Sequence, residues 1–81
     1  MNPKEIISDE EIERVHGNAN FGEMTKRDVV NQGVLKCASG YWQGSTSMSI
    51  ISEHGLINNK YELTPKGREY LWSVFSKKNT V

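Results

Sequence analysis

Apolar residues recur at helical spacing over residues 25–39 of this 81-residue chain. Their positions, spaced by three and four, are Val29, Val30, Gly33, Val34, Cys37 and Ala38. This periodicity predicts an amphipathic helix that follows an N-cap at Thr25 and ends at Gly40. Cys37 is then most simply a small residue of the core.

A shorter helix is predicted near the start of the chain, over residues 8–17. Ser8 and Glu11 have the spacing of a capping box, and Ile12 and Val15 share one face. The following loop, residues 18–24, is rich in glycine and asparagine. We expect Phe21 to anchor this loop on the core. The alternative is a binding loop that carries His16.

Residues 45–54 predict another short helix, capped by Ser45 or Thr46. Its inward side is expected to carry Met48, Ile50 and Ile51. Its outer face then carries small hydroxyl residues and one acid, namely Thr46, Ser47, Ser49, Ser52 and Glu53.

After Gly55, which ends that helix, the pattern predicts a tight β-hairpin. The two short strands are Leu56–Ile57 and Tyr61–Leu63, and Asn58–Asn59 turns the chain by entering left-handed backbone space.

Thr64 and Pro65 then start a final helix. Its apolar stripe is Tyr70, Leu71, Val74 and Phe75. The predicted fold is mainly α with a short β-hairpin, in a single small domain. It comprises an acidic helix (8–17), a loop (18–24), a core (25–75) and a flexible basic tail (76–81).

The order of helix, tight hairpin and helix resembles the end of a winged helix-turn-helix domain. The resemblance covers roughly Val34 to Leu71, and the residues that carry it read GLI at Gly55–Ile57 and LTPKGREYL at Leu63–Leu71. It implies a winged-helix-like core over 25–75, with residues 45–54 as the recognition helix. It also implies a short wing, where Lys60 touches a phosphate, and double-stranded DNA as the partner.

The opening of the chain, ISDEEI followed by HGNANFG, and its small size resemble small proteins without an assigned role in phages and prophages of enteric bacteria. This resemblance implies a host-directed or regulatory role. Together the two resemblances lead to a nucleic-acid-binding accessory or regulatory protein, encoded by a phage.

The net charge is zero, but the charges are segregated along the chain. Residues 1–24 contain two basic and six acidic side chains, whereas residues 25–81 contain eight basic and four acidic ones. A neutral total disfavours strong nonspecific binding to nucleic acid, while the segregation allows a basic face. The alternative is that the two halves attract each other or that the signs mix in space.

The candidate nucleic-acid site combines hydroxyls for weak base-edge contact with basic residues for phosphate contact. Its members are Gln43, Ser45, Thr46, Ser47, Ser49, Lys60, Lys26, Arg27, Lys66 and Arg68. The predicted recognition helix contains no arginine, lysine, asparagine or glutamine, so the bidentate contacts that read guanine and adenine are missing. A module this small would need to form a homodimer to gain specificity.

The alternative function is a protein-binding adaptor, or an inhibitor of a host protein, on the same scaffold. Three aromatic residues would then contact the partner: Tyr41, Trp42 and Trp72. The acidic first helix would meet a basic partner or mimic the charge of nucleic acid.

Composition argues against several other classes. There is no apolar run long enough to span a membrane, no signal-peptide pattern, and the single cysteine cannot form an internal disulfide. We therefore expect a cytoplasmic protein without a membrane partner. Metal-ligand spacings, a phosphate-binding loop and a convergent catalytic set are missing from the sequence, so neither an enzyme nor a cofactor is expected.

Overall fold

The fold is given by a computed structural model, which describes residues 2–17, 22–41 and 44–76. Its helices are α1 (Pro3–Ile6), α2 (Asp9–His16), α3 (Lys26–Ser39), α4 (Ser45–Glu53) and α5 (Pro65–Phe75). The prediction of a mainly helical chain is confirmed. The predictions for Phe21, Trp42, Gln43 and the tail beyond Ser76 lie outside the described residues. Across the three described ranges, no helix is long and apolar enough to cross a bilayer.

Side-chain caps fix where three of the helices begin. The Ser8 hydroxyl accepts the backbone N–H of Glu11 at 3.2 Å. The hydroxyls of Thr25 and Thr64 each accept an N–H from the third residue of their helix at 3.0 Å. Such caps satisfy backbone donors that have no partner inside the helix. The predicted starts of α2, α3 and α5 are thereby confirmed.

The other two helix starts differ from the prediction. Helix α4 begins after Gly44, which makes no side-chain cap bond, so the prediction that Ser45 or Thr46 caps it is wrong. Helix α1 is an additional element, and a reciprocal capping box between Asn2 and Glu5 closes its first turn.

One apolar cluster centred on α3 forms the core. Helix α3 contacts α2, α4 and α5, and α1 packs on α5. The largest fully buried side chains are Ile7, Val30, Val34, Ile51, Leu56 and Tyr70. Because Ile7 sits at the junction of α1 and α2, its burial locks the start of the chain onto the core.

The segment between α4 and α5 is a turn with a single antiparallel bridge, between Ile57 and Leu63. The two predicted strands do not form, so the prediction of a β-hairpin is wrong. The Asn58 side chain gives the physical reason. Its Oδ1 accepts the backbone N–H of Lys60 at 2.8 Å and that of Glu62 at 3.0 Å. These donors face the turn rather than a partner strand.

The left-handed non-glycine residue of this turn is Tyr61, with φ 64°, and not Asn58 or Asn59 as predicted. This conformation costs a non-glycine residue roughly 1–2 kcal/mol. A hydrogen bond from the Tyr61 N–H to the Asn58 carbonyl, at 3.0 Å, helps to hold it.

A polar cluster ties α3 to α5 and to the junction of α1 and α2. The Arg27 guanidinium donates to the Ile7 carbonyl at 2.7 Å, to the Asp9 carboxylate at 2.9 Å and to the Tyr70 hydroxyl at 3.1 Å. The Tyr70 hydroxyl donates in turn to Asn31 Oδ1 at 2.7 Å. We call these residues the Arg27 cluster. The Arg27 side chain is 17% exposed, so most of this residue, which was predicted to contact phosphate, lies inside the protein.

A close backbone contact packs the first turn of α5 against the turn before it. A Cβ at Gly67 would collide with the Leu56 carbonyl oxygen and lie 3.0 Å from the Leu56 carbonyl carbon. The same carbonyl accepts the Thr64 N–H at 3.0 Å, which fixes its position. A glycine is therefore required at position 67 because the Leu56 carbonyl leaves no room for a Cβ, and not because of the backbone angles of Gly67.

We expect Gly67→Ala to lower the free energy of unfolding by about 2 kcal/mol, because overpacking outweighs the better helix propensity of alanine. Urea unfolding followed by circular dichroism measures the change. Gly44→Ala is the control, since a Cβ there meets nothing within 4 Å, and its loss should stay below about 1 kcal/mol. Equal stability of the Gly67→Ala variant and the wild type would contradict the contact.

We expect Tyr70→Phe to lower the free energy of unfolding by about 1–2 kcal/mol, because Asn31 and Arg27 each lose a partner in a partly buried site. Tyr41→Phe removes a hydroxyl from a side chain that is 70% exposed, and it should have almost no effect. Thermal and urea unfolding of both variants test this difference. Equal stability of the two variants would mean that the Arg27 cluster contributes no net stability.

Candidate functional site

The hydroxyl residues of α4 that were predicted to contact DNA form part of a polar surface. Ser45, Thr46 and Ser49 are exposed, and Ser47 is half-buried. Ser49 lies between two shallow clefts, one of about 400 Å³ shared with Thr46 and one of about 340 Å³ shared with Ser45. The structure thus brings together three of these four hydroxyls, and Gln43 lies outside the described residues.

The surroundings of these clefts are not strongly basic. Arg14 and Glu53 line the first cleft, and Glu53 and Tyr61 line the second. A surface that follows a nucleic-acid backbone needs clustered lysine or arginine. The first cleft instead sets Arg14 against the Glu53 carboxylate, and the lining of the second contains Glu53 but neither lysine nor arginine.

The basic residues predicted to contact phosphate lie in different parts of the structure. Lys26 forms an ion pair with Glu13, and Arg27 belongs to the internal cluster. Lys60 lies in the turn between α4 and α5, and Lys66 runs beside Gly55. Arg68 lines an apolar groove on another side of α5. Neither α4 cleft is lined by any of the five basic side chains.

That apolar groove runs between the C-terminal half of α3 and the exposed face of α5. Its volume is about 520 Å³. We call it the α3–α5 groove, and its lining residues are Leu35, Ala38, Leu63, Arg68, Leu71, Trp72 and Phe75. Arg68 is the only charged member of this set.

Large side chains of the α3–α5 groove are open to solvent. Trp72 is 67% exposed, Phe75 is 52% exposed and Leu35 is 41% exposed. Their positions differ from the prediction, because Phe75 and Ala38 were placed on core-facing stripes and are exposed. Single exposed apolar residues are ordinary, whereas a contiguous set around a concave surface makes the α3–α5 groove a candidate interaction site.

The aromatic residues predicted to bind a partner do not all meet. Trp72 lies in the α3–α5 groove. Tyr41 borders a smaller pocket of about 180 Å³, which it shares with Cys37, Met48 and Tyr61. Trp42 falls outside the described residues.

Sequence reasoning found Trp72 but missed Leu35, Ala38 and Leu63 as parts of one surface. A signal was available in α3, where the pairs Val34–Leu35 and Cys37–Ala38 make the apolar face too wide for one stripe. Leu63 could not be assigned to this surface from the sequence, because its position depends on how the turn between α4 and α5 folds back.

The histidine that follows α4 as its C-cap lies inside the protein. His54 is 4% exposed, and both ring nitrogens lack a hydrogen-bond partner among the described residues. Burial lowers the pKa of His54 below its usual 6.5. Glu11 opposes this shift, whereas Lys66, Arg14 and Arg27 add to it. In the three described ranges, no three side chains among His, Cys, Asp and Glu are grouped to hold a metal ion.

Comparison of the chain with protein-family models, with curated proteins and with solved structures yields no match. The candidate site therefore stands on the geometry alone. That geometry offers a mixed polar surface on α4 and an apolar groove between α3 and α5.

The lowered pKa of His54 predicts a loss of stability on mild acidification. Below about pH 6.5 His54 binds a proton in the unfolded chain. In the folded protein His54 stays neutral until the pH falls to its lower folded-state pKa. The free energy of unfolding then falls by up to about 1.4 kcal/mol per pH unit within that window. We expect the His54→Leu variant to lack this fall in the free energy of unfolding when urea unfolding is compared between about pH 7.5 and about pH 5.5.

Asp9 does not interfere with this measurement. The hydrogen bond from Arg27 lowers the pKa of the Asp9 carboxyl below 3.8, so the stability linked to it is lost only at more acid pH. Parallel pH profiles for wild type and His54→Leu would contradict a neutral, buried His54.

Proposed function

We propose that this protein is a small protein-binding module whose α3–α5 groove receives a short segment of another protein. The observation that supports the proposal is the exposed apolar lining around Trp72 and Phe75. Tryptophan in a concave apolar setting is the residue most often found at interface hot spots. The function is therefore that of an adaptor or inhibitor, which was the alternative inferred from the sequence.

The size of the exposed surface favours a short segment over a second copy of the chain. At about 200 Å² for a large side chain, the exposed fractions of Leu35, Trp72 and Phe75 leave roughly 300 Å² of apolar surface. A stable dimer buries about 800 Å² of total surface on each partner, of which roughly 500 Å² is apolar in a homodimer. The predicted homodimer would therefore need apolar contacts beyond these three side chains.

Symmetry argues the same way. In a two-fold dimer the same patch meets itself, with residue i against residue j, so the Arg68 of each copy would face the lining of the other copy's groove. No acidic residue belongs to the lining. A different protein can supply the missing negative charge, whereas the same groove on a second copy cannot.

Binding to double-stranded DNA stays a prediction, and it has less support than protein binding. Lys26 is paired with Glu13, and the Arg27 Nη1 and Nη2 groups donate to Tyr70 and Ile7. The α4 clefts contain a carboxylate from Glu53. A salt-dependent interaction with a DNA duplex at Ser45, Ser49 and Lys60 would favour it over the present proposal.

The scaffold is proposed to be a reduced form of the winged helix-turn-helix arrangement. The supporting observation is the order of α3, α4, a tight turn and α5. In place of a wing, the turn has the one bridge between Ile57 and Leu63. A shortened wing is compatible with a scaffold that binds protein.

We expect peptides selected from a random display library on the wild-type protein to bind in the α3–α5 groove. Trp72→Ala should weaken them by at least about tenfold, because it removes the largest apolar contact. Tyr41→Ala is the matched control, since Tyr41 is equally exposed but lies outside the groove, and it should leave the affinity unchanged.

Affinities are measured by isothermal titration, and circular dichroism checks that both variants stay folded. A selection that enriches no binder, or binders that ignore the Trp72 change, would overturn the proposal. Concentration-dependent dimerisation that Trp72→Ala abolishes would assign the groove to a second copy instead.

A further inference from the structure

The α3–α5 groove is apolar along most of its length and positively charged at one end. Arg68, Leu71, Trp72 and Phe75 follow one another at helical spacing on one face of α5. At about 1.5 Å per residue, these positions span roughly 10 Å, which is the length of two helical turns. The groove therefore has a direction, with charge first and apolar surface after it.

Arg68 is available to a partner. Its guanidinium makes no ion pair in the described part of the chain, and its one side-chain hydrogen bond is a long contact of 3.5 Å to the Leu63 carbonyl. This differs from Lys26 and Arg27, which are each paired with an acid. An arginine at the rim of an apolar groove can bind a carboxylate with two parallel hydrogen bonds.

The first turn of α5 increases the positive potential at this end. It holds Lys66 and Arg68 but no acidic residue. Cations near the N-terminus of a helix lie at the positive end of its dipole, where they are unfavourable. A carboxylate from a partner, placed beside Arg68, would relieve this repulsion.

The surroundings of the groove favour a helical occupant over a β-strand. Peptides that bind as β-strands gain affinity by adding a strand to an exposed sheet edge. In the described residues the only β-pairing is one isolated bridge, so such an edge is missing. A groove between two helices instead accepts an amphipathic helix through side chains spaced three and four apart.

From these observations we infer that the occupant is an acidic amphipathic helix, with a carboxylate beside Arg68 and an apolar stripe against Trp72 and Phe75. This inference rests on the proposed function and adds the chemistry of the partner to it. The acidic helix α2 of a second copy is excluded as the occupant, because the face of α2 that carries Ile12 and His16 is buried in its own core.

The test uses three synthetic helical peptides of about four turns that share one leucine stripe. They carry glutamate, glutamine or lysine at both ends of the stripe, so that the direction of binding does not matter. For the wild-type protein we expect the glutamate peptide to bind about two- to fivefold more tightly than the glutamine peptide. The lysine peptide should be the weakest, and high salt should reduce the differences.

Substitutions at Arg68 should change this order. Arg68→Gln should abolish the difference between the glutamate and glutamine peptides, and Arg68→Glu should make the lysine peptide the tightest. Lys66→Gln is the matched control, because it removes the same charge from the same helical turn but lies outside the groove lining. That variant should preserve the order of the three peptides.

The outcomes separate this inference from the proposed function. If the three peptides bind equally well and Trp72→Ala still weakens them, the acidic partner is wrong and the groove remains a protein-binding site. If display yields groove binders but none of these helices binds, the helical partner is wrong. If neither displayed nor synthetic peptides bind, the proposed function itself is wrong.

Discussion

The rest of the structure depends on the hydrogen bonds that join Arg27, Tyr70 and Asn31. Arg27 and Asn31 lie one turn apart on α3, and Tyr70 is fully buried on α5, so its hydroxyl needs partners there. The same guanidinium reaches back to the Ile7 carbonyl, which closes the start of the chain over the core. A buried phenol and a largely buried guanidinium are costly unless each is satisfied, so these positions constrain one another.

The same constraint explains why a groove exists. Residues 27, 31, 35 and 38 share one stripe of α3 that faces α5. In the first half of this stripe Arg27 and Asn31 hydrogen-bond to the Tyr70 hydroxyl, whereas in the second half Leu35 and Ala38 border open space. Helices α3 and α5 are thus closed by a polar contact near one end and leave apolar side chains uncovered near the other. A site held open by such a contact needs little rearrangement to accept a partner, which reduces the cost of binding.

Local signals predicted much of the fold. The caps at Ser8, Thr25 and Thr64 depend on short-range hydrogen bonds, and the sequence placed all three helix starts correctly. The hairpin prediction failed because Asn58 uses its side chain to bind N–H groups that a strand would have offered to a partner.

Contacts between residues far apart in the chain could not be predicted from the sequence. Arg27 donates a hydrogen bond to Tyr70, which lies 43 residues away along the chain. Position 67 must be glycine because the Leu56 backbone lies against it. The groove was missed for the same reason, since Leu63 joins it only when the turn folds back. Trp72 could be predicted to contact a partner because it lies beside the apolar stripe of the last helix rather than within it.

The charge distribution connects fold and function. The acidic first part of the chain and the basic remainder meet in the ion pairs Lys26–Glu13 and Arg27–Asp9. Exposed ion pairs contribute little stability, at most about 1 kcal/mol each, but they use cations that a nucleic-acid surface would need. The attraction between the two halves of the chain was one of the alternatives that the sequence left open, and these contacts support it. Lys36, Lys60, Lys66 and Arg68 make no ion pair with another described residue, and of these four Arg68 is the one that lines the apolar groove. This combination of a cation and uncovered apolar surface is the observation that supports the proposed binding of an acidic amphipathic segment.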